Sequence, residues 1–245
     1  GKGYVAATDV SAFSYMLNVT KRLGEAHSLL FTALGSPERH DQRSTRLSWD
    51  EVQQYGRTYS KNWGWRDGKA FNLSRNKYFT LQHIWDGERF SMKNSVYLAI
   101  GNGGGRWTET KGKSISSFVK DGLVDWDAVV NANMTEDRPS LMASVGSSHA
   151  DTAIPEGVAA KNILSDYMAG HTQTGAIVSM EYKPTGHWII GAGAHYQYYS
   201  TWECERITDL LGADYWYEDC EPKSPAGEAG RNPYKRVGDF VRTDN

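Results

Sequence analysis

The spacing of hydrophobic and polar positions changes along this chain. Between Thr8 and Gly24, in "TDVSAFSYMLNVTKRLG", apolar residues recur at helical spacing, with Thr8 as a suitable N-cap and Gly24 as a stop. "SWDE" at 48–51 has the pattern of a capping box, with Ser48 at the cap and Glu51 three residues later, and it opens a short helix toward Tyr59. The N-terminal part of the chain is therefore predicted to be helical.

The middle of the chain has a less regular pattern. Residues 61–106 are rich in Asn, Gly and aromatics, which predicts loops with short strands. They end in "GNGGGRW", which lacks the Lys-Ser/Thr of a phosphate-binding loop and therefore predicts a flexible loop. One or two helices are predicted over 114–133. Another helix is predicted from Pro155, at its first position, to Gly170, at its end.

After Gly170 the pattern alternates. Residues 174–182, the turn 183–186 and residues 187–196 predict a β-hairpin, followed by a short helix over 202–212 and a further strand in "ADYWYEDCEP". Helices come first and antiparallel strands late, which predicts an α+β fold. At 245 residues we expect a single domain over 1–245, with a loop-rich aromatic insertion at about 61–110.

Composition narrows the classes of partner. The chain has 27 basic and 29 acidic residues with no long run of either sign, so we expect no nucleic-acid partner. It has no run of about 18 apolar residues, so we expect no membrane partner. Its 9 tryptophans and 14 tyrosines either build a core or line a groove for a glycan or an extended peptide.

The metal-binding and redox residues are few. No set of His, Asp, Glu or Cys has metal-ligand spacing, so we expect no metal and no other cofactor. The two cysteines, Cys204 and Cys220, are 16 positions apart, which suits one disulfide closing a short loop. Such a disulfide favours an oxidising compartment, so we expect a secreted or exported protein.

Two blocks of the sequence resemble the papain-like cysteine peptidases, in particular the double-glycine peptidases, streptopain and the streptococcal immunoglobulin-degrading enzyme. "YVAATDVSAFSYMLN" (4–18) is similar to the helix that carries the nucleophile in that family, and "GHWIIGAGAHY" (186–196) is similar to its Gly-His-apolar-apolar strand. "YEDCEP" is similar to the strand end that follows and contains an Asp. The resemblance covers about 70 residues, in line with the expected α+β, papain-like fold in which an N-terminal helix packs on a late antiparallel sheet.

The resemblance implies a catalytic set in which a helix-terminal thiolate attacks a carbonyl and His187 transfers the proton. Asp219, or alternatively Asp209, would orient His187. No cysteine occurs before Cys204, and the nucleophile position falls between Tyr4 and Thr8 according to the alignment chosen. Ala7 is then the suspected former cysteine, either replaced by alanine or lost naturally in a pseudoenzyme.

The function that follows is a thiol hydrolase, a protease or amidase acting on a protein or peptide substrate. The alternative is an exported pseudoenzyme or binding module that recognises a glycan or a protein through aromatic loops. The predicted substrate-groove residues are all tryptophans: Trp63, Trp65, Trp85, Trp107 and Trp188.

Overall fold

The main feature of the fold is one large antiparallel β-sheet. The computed structural model describes residues 1–41, 46–60, 71–135, 155–218 and 232–244. Within these ranges strands far outnumber helices, and neither α-helix is N-terminal. The predicted α+β, papain-like fold is therefore wrong, since no helix is present where the nucleophile helix was expected.

The secondary structure of the described ranges consists of thirteen strands, two α-helices and one 3₁₀ turn. The strands are β1 (Val10–Ala12), β2 (Tyr15–Arg22), β3 (His27–Gly35), β4 (Glu38–Asp41), β5 (Phe71–Asp86), β6 (Phe90–Thr110), β7 (Val119–Lys120), β8 (Leu123–Val124), β9 (Asn162–Thr185), β10 (Trp188–Asp209), β11 (Trp216–Tyr217), β12 (Tyr234–Lys235) and β13 (Phe240–Asp244). The helices are α1 (Trp49–Tyr55) and α2 (Trp126–Met134), and the 3₁₀ turn is Ile115–Ser117.

Six strands form the body of the sheet in the order β2-β3-β5-β6-β9-β10, with every neighbouring pair antiparallel. β4 pairs with the first residues of β5, next to the segment of β5 that pairs with β3, and β1 pairs with β4. β13 pairs with residues 203–206 near the end of β10. Residues 23–26, 87–89 and 186–187 make three short turns at one end of the body. The longer connections, 36–70 and 111–161, leave from the other end, which we call the long-connection end.

The buried core lies at the long-connection end. One cluster joins Ile163 on β9 and Ile207 on β10 to Trp216 on β11. A second cluster packs Leu164 and Leu211 against α2 and its neighbouring short strands. Elsewhere the body of the sheet has little cover: every residue of β2 is exposed, as are residues 188–203 of β10.

Three predicted helices are strands, and each error has a physical reason. Residues 15–22 alternate between the two faces of β2, and their hydrogen bonds go to β3, a partner that local periodicity does not reveal. The segments 162–170 and 202–209 belong to β9 and β10. At their core-side ends both faces are buried, as at Ile163 and Leu164, so apolar residues follow one another and resemble a helical pattern.

Other local predictions are confirmed. Ser48 and Glu51 form the predicted capping box, in which Ser48 Oγ accepts from Glu51 N at 3.2 Å and Glu51 Oε2 accepts from Ser48 N at 2.7 Å. α2 confirms the second half of the helical region predicted over 114–133, whereas the first half forms the 3₁₀ turn and the short strands β7 and β8. The hairpin after Gly170 is also present, with Ile190 opposite Tyr182 and Tyr196 opposite Ala176.

The glycine cluster 101–105 is part of a strand. It lies inside β6 and pairs with both β5 and β9, so the predicted flexible loop is wrong. Gly104 has φ +157, and a Cβ there would overlap the carbonyl oxygen of Tyr167 on β9. Glycine is therefore required where the two backbones approach closely.

Candidate functional site: the two faces of the sheet

The body of the sheet has one face dominated by apolar side chains, which we call the apolar face. Residues opposite each other in register share a face, and successive residues of a strand alternate between faces. The central row of this face runs across all six strands. Its members are Val19, Phe31, Leu81, Val96, Ala176 and Tyr196. Leu81 is 45 % exposed and Val96 is 52 % exposed, so nothing in the described structure covers the row.

The opposite side, which we call the polar face, has a different character. The neighbouring row consists of Asn18, Thr32, Thr80, Tyr97, Gly175 and Gln197. Thr32 Oγ1 donates to Asn18 Oδ1 at 2.7 Å, and Tyr97 Oη lies 2.8 Å from His195 Nε2. Hydrogen-bonded polar side chains thus link neighbouring and more distant strands, while a few apolar residues such as Ile177 share this face.

Aromatic side chains mark the ends of the apolar face. Near the short turns, Trp85 packs against Phe90 at 5.0 Å between ring centroids and against His27 at 5.5 Å. Toward the long-connection end, the ring of Tyr15 lies over Gly35 and the ring of Trp202 lies over Gly170. The apolar face therefore has an aromatic border at both ends.

Polar groups on the same face accompany these borders. At the short-turn end His27 Nδ1 lies 3.0 Å from His83 Nε2, and His83 Nδ1 lies 3.2 Å from Asn94 Nδ2. At the long-connection end Arg106 pairs with Asp166 at 3.0 Å. The His83–Asn94 pair therefore interrupts the apolar face near the short turns, and the Arg106–Asp166 pair lies beyond its other end.

The polar face carries a groove of about 360 Å³ close to the long-connection end. Its floor is made of small residues on β6 and β9, and its walls carry polar and aromatic side chains from three strands. We call it the polar-face groove and define it by Asn76, Gly103, Ala169, His171, Tyr199 and Glu203. No local sequence pattern predicts this groove, although its glycine cluster at 101–105 is evident in the sequence.

The predicted catalytic residues are placed as follows. Ala7 is buried in a turn with φ +58, not at a helix N-terminus. His187 is exposed in the turn between β9 and β10. Asp209 is the last residue of β10, and its Oδ1 accepts from Leu211 N at 2.7 Å. His187, just before β10, and Asp209, its last residue, are separated by the length of a 22-residue strand, about 70 Å, so Asp209 does not orient His187.

The structure does not bring together the three described members of the predicted tryptophan groove. Trp85 lies on the apolar face and Trp107 on the polar face, 15 residues of β6 register apart, which corresponds to about 50 Å. Trp188 is 67 % exposed beside the hairpin turn. Trp63, Trp65 and Asp219 lie outside the described residues.

The predicted disulfide has no support in the described structure. Cys204 is a free thiol there, and Cys220 lies outside the described residues.

Comparisons with protein-family models, with curated proteins and with solved structures found no match. Among the described residues, no cluster of His, Cys, Asp and Glu could hold a metal ion. Within the same ranges, neither helix has the length and apolar composition needed to cross a membrane. The two faces of the sheet are therefore the features on which a function can be argued.

Proposed function

We propose that this chain is a membrane-embedded β-sheet protein, whose apolar face contacts lipid acyl chains and whose polar face contacts water. The observation that carries the proposal is the alternation of the two faces over six strands, with the apolar side left uncovered. The proposal replaces the expectation of no membrane partner, which considered only continuous apolar runs. A strand with one lipid-facing side is apolar only at every second residue.

The size of the apolar face supports this assignment. Six strands at about 4.8 Å spacing and about 10 residues in length make a surface on the order of 700 Å². Water-exposed monomers rarely carry contiguous apolar patches larger than a few hundred Å². A surface of this extent therefore needs an apolar environment.

The length of the apolar band also fits. On β6 the apolar face carries Phe90, Met92, Val96, Leu98 and Ile100, with Asn94 among them, and ten residues of strand span about 33 Å. Strands that cross a bilayer are tilted by about 45°, which reduces this length to about 23 Å along the membrane normal and matches an apolar band of about 25 Å.

The borders of the band favour lipid over a protein partner. Trp and Tyr rings concentrate at the two levels where a bilayer meets water, and Trp85, Tyr15 and Trp202 lie at the two ends of the band. The pair Arg106 and Asp166 lies beyond the aromatic border, where a bilayer has its polar head groups.

The thiol-hydrolase function expected from the resemblance is not part of this proposal. That function needs a helix N-terminus beside His187, and the segment expected to supply it forms β1 and β2.

Paired substitutions on β5 test the proposal. Leu81→Arg places a charge in the centre of the apolar face, and Gln82→Arg places the same charge on the polar face. We expect Leu81→Arg to destabilise the protein refolded into phosphatidylcholine vesicles by about 2–4 kcal/mol, because an arginine must enter hydrocarbon. We expect Gln82→Arg to change the free energy of unfolding by less than about 1 kcal/mol.

Urea unfolding in the vesicles, followed by tryptophan fluorescence, measures both values. Equal effects of Leu81→Arg and Gln82→Arg would contradict a lipid-facing surface. A wild-type chain that folds and stays monomeric in buffer without lipid or detergent would contradict it as well.

A further inference from the structure

We infer that the polar-face groove is a binding site for a neutral sugar ring. This inference is separate from the membrane proposal. Sugar binding requires that the groove on the polar face is open to water, and it does not depend on what contacts the apolar face. It is argued from the floor, the walls and the charge of the groove.

The floor is flat because its residues have little or no side chain. Gly103 on β6 and Ala169 on β9 are register partners, and the glycine cluster continues on either side of Gly103. Bulkier side chains at these positions would fill the space that the groove occupies. Gly103 and Ala169 thus leave room for a ligand to lie close to the sheet, whereas the space above Gly101 is occupied by His171 and Asn76.

One wall combines an aromatic surface with an amide. The rings of His171 and Tyr199 stack with centroids 5.8 Å apart and planes inclined by 26°. A Cβ on Gly101 would overlap His171 Cε1 and lie 2.6 Å from Asn76 Oδ1, so the imidazole and the amide converge above Gly101. The aromatic rings offer an apolar surface to the C–H face of a sugar, and the amide offers a donor and an acceptor to its hydroxyls.

The other polar groups continue this mixture of donors and acceptors. Asn76 Nδ2 donates to Ser74 Oγ at 3.1 Å, which orients the amide. Tyr167 Oη donates to the Glu203 carboxylate, which leaves acceptor capacity on the carboxylate for a ligand hydroxyl. A volume of about 360 Å³ is at the lower end of the 300–1,000 Å³ that is usual for small-molecule sites.

Charge selects the class of ligand. Among the described residues that line the groove none is a lysine or arginine, so they offer no cationic partner to an anion such as phosphate. Glu203 is the one carboxylate among these described residues, and one carboxylate is too few for a divalent cation. Aromatic surface together with uncharged donors and acceptors favours a neutral polyhydroxylated ring.

Saturation-transfer NMR on the full chain in detergent micelles tests the inference with three probes: methyl glucoside, maltose and cellobiose. We expect at least one sugar to receive saturation from the protein. Tyr199→Ala removes one stacking ring and is expected to weaken that binding at least tenfold. Tyr198→Ala, the neighbouring residue on the apolar face, is the matched control and should bind as the wild type does.

A second pair guards against a folding defect in Tyr199→Ala. Ala169→Leu fills the floor of the groove and should abolish binding, whereas Ala176→Leu, which adds the same volume on the apolar face, should not. The inference is overturned if none of the sugars binds at about 10 mM, well above ordinary site affinities. Cadaverine and inorganic phosphate are tested as a cationic and an anionic control ligand. The inference is also overturned if Tyr199→Ala and Ala169→Leu both bind the sugars as the wild type does, or if only one of these control ligands binds.

Failure of this experiment leaves the membrane proposal intact, because Leu81 and Gln82 lie outside the groove. Conversely, if Leu81→Arg and Gln82→Arg had equal effects, the membrane proposal would fail, but the sugar-binding result of the wild-type protein would still stand. The two claims are therefore tested separately.

Discussion

At the residue scale, Asn133 is a buried polar side chain whose amide makes several hydrogen bonds. It is fully buried on α2. Its Nδ2 donates to the carbonyl oxygens of Asn162 at 2.8 Å and Leu210 at 3.0 Å, and its Oδ1 accepts from the backbone N–H groups of Lys161 at 3.1 Å and Asn162 at 3.0 Å. One amide thus satisfies the backbone groups where β9 begins and β10 ends.

Replacing Asn133 should therefore be costly. Asn133→Ala leaves several buried backbone groups without partners, and we expect it to lower the free energy of unfolding by about 2–4 kcal/mol. Asn131→Ala on the exposed side of the same helix is the control and should cost less than about 1 kcal/mol. Urea unfolding of the protein in micelles measures both. Similar losses for the two variants would mean that the amide network contributes little.

Asn133 also shows what the sequence could and could not reveal at this scale. Local chemistry was predictable where partners are close in sequence, as in the capping box of Ser48 and Glu51. The partners of Asn133 are 28 to 78 residues away, and no local pattern indicates them. The polar-face groove was hidden for the same reason, because its walls come from β5, β9 and β10.

At the element scale, the unpaired outer edges of β2 and β10 are the notable feature. Among the described residues β2 pairs with β3 alone, and residues 188–202 of β10 pair with β9 alone. An unpaired backbone N–H or C=O group is costly in hydrocarbon, so in a bilayer both edges need partner strands. The sheet body has an even number of strands, so β2 and β10 run in opposite directions and a strand added to either edge can continue the antiparallel order.

Amide hydrogen exchange tests the pairing of these edges. With β9 as its one partner, β10 has about half of its amide groups directed outward between residues 190 and 200. In vesicles we expect consecutive amides of this stretch to be protected from exchange, because β10 then has a partner strand on its outer edge as well as β9 on its inner edge. Residue-resolved NMR provides the measurement, and the doubly paired strand β9 provides the reference. Rapid exchange at every second residue of β10 would contradict the expectation.

The strands that were predicted as helices owe their structure to pairing between elements. Segment 8–24 has apolar residues at both helical and alternating spacing, and long-range pairing with β3 decides in favour of a strand. β9 and β10 pass from a buried end to an exposed body, so their alternation is clear only over 174–196. The hairpin was predictable there because the turn and the alternation coincide.

At the scale of the whole molecule, the core lies at one end and the amphipathic sheet extends away from it. Clusters around Trp216 and Leu211 stabilise the long-connection end, while the apolar face has no protein cover in the described structure. Hydrophobic burial is the main force that holds folded proteins together, so this face requires a non-aqueous environment to contribute. The central claim is that the environment is a lipid bilayer.

Site-directed spin labelling along β6 tests that claim most directly. Single cysteines at positions 91–100, in a background where Cys204 and Cys220 are serine, carry a nitroxide in phosphatidylcholine vesicles. Apolar oxygen collects in the bilayer, whereas a polar nickel chelate stays in water. A lipid-facing surface predicts that oxygen accessibility peaks at the apolar-face positions 92, 94, 96, 98 and 100 and that nickel accessibility peaks at the polar-face positions 91, 93, 95, 97 and 99. Equal nickel accessibility on both faces would contradict it.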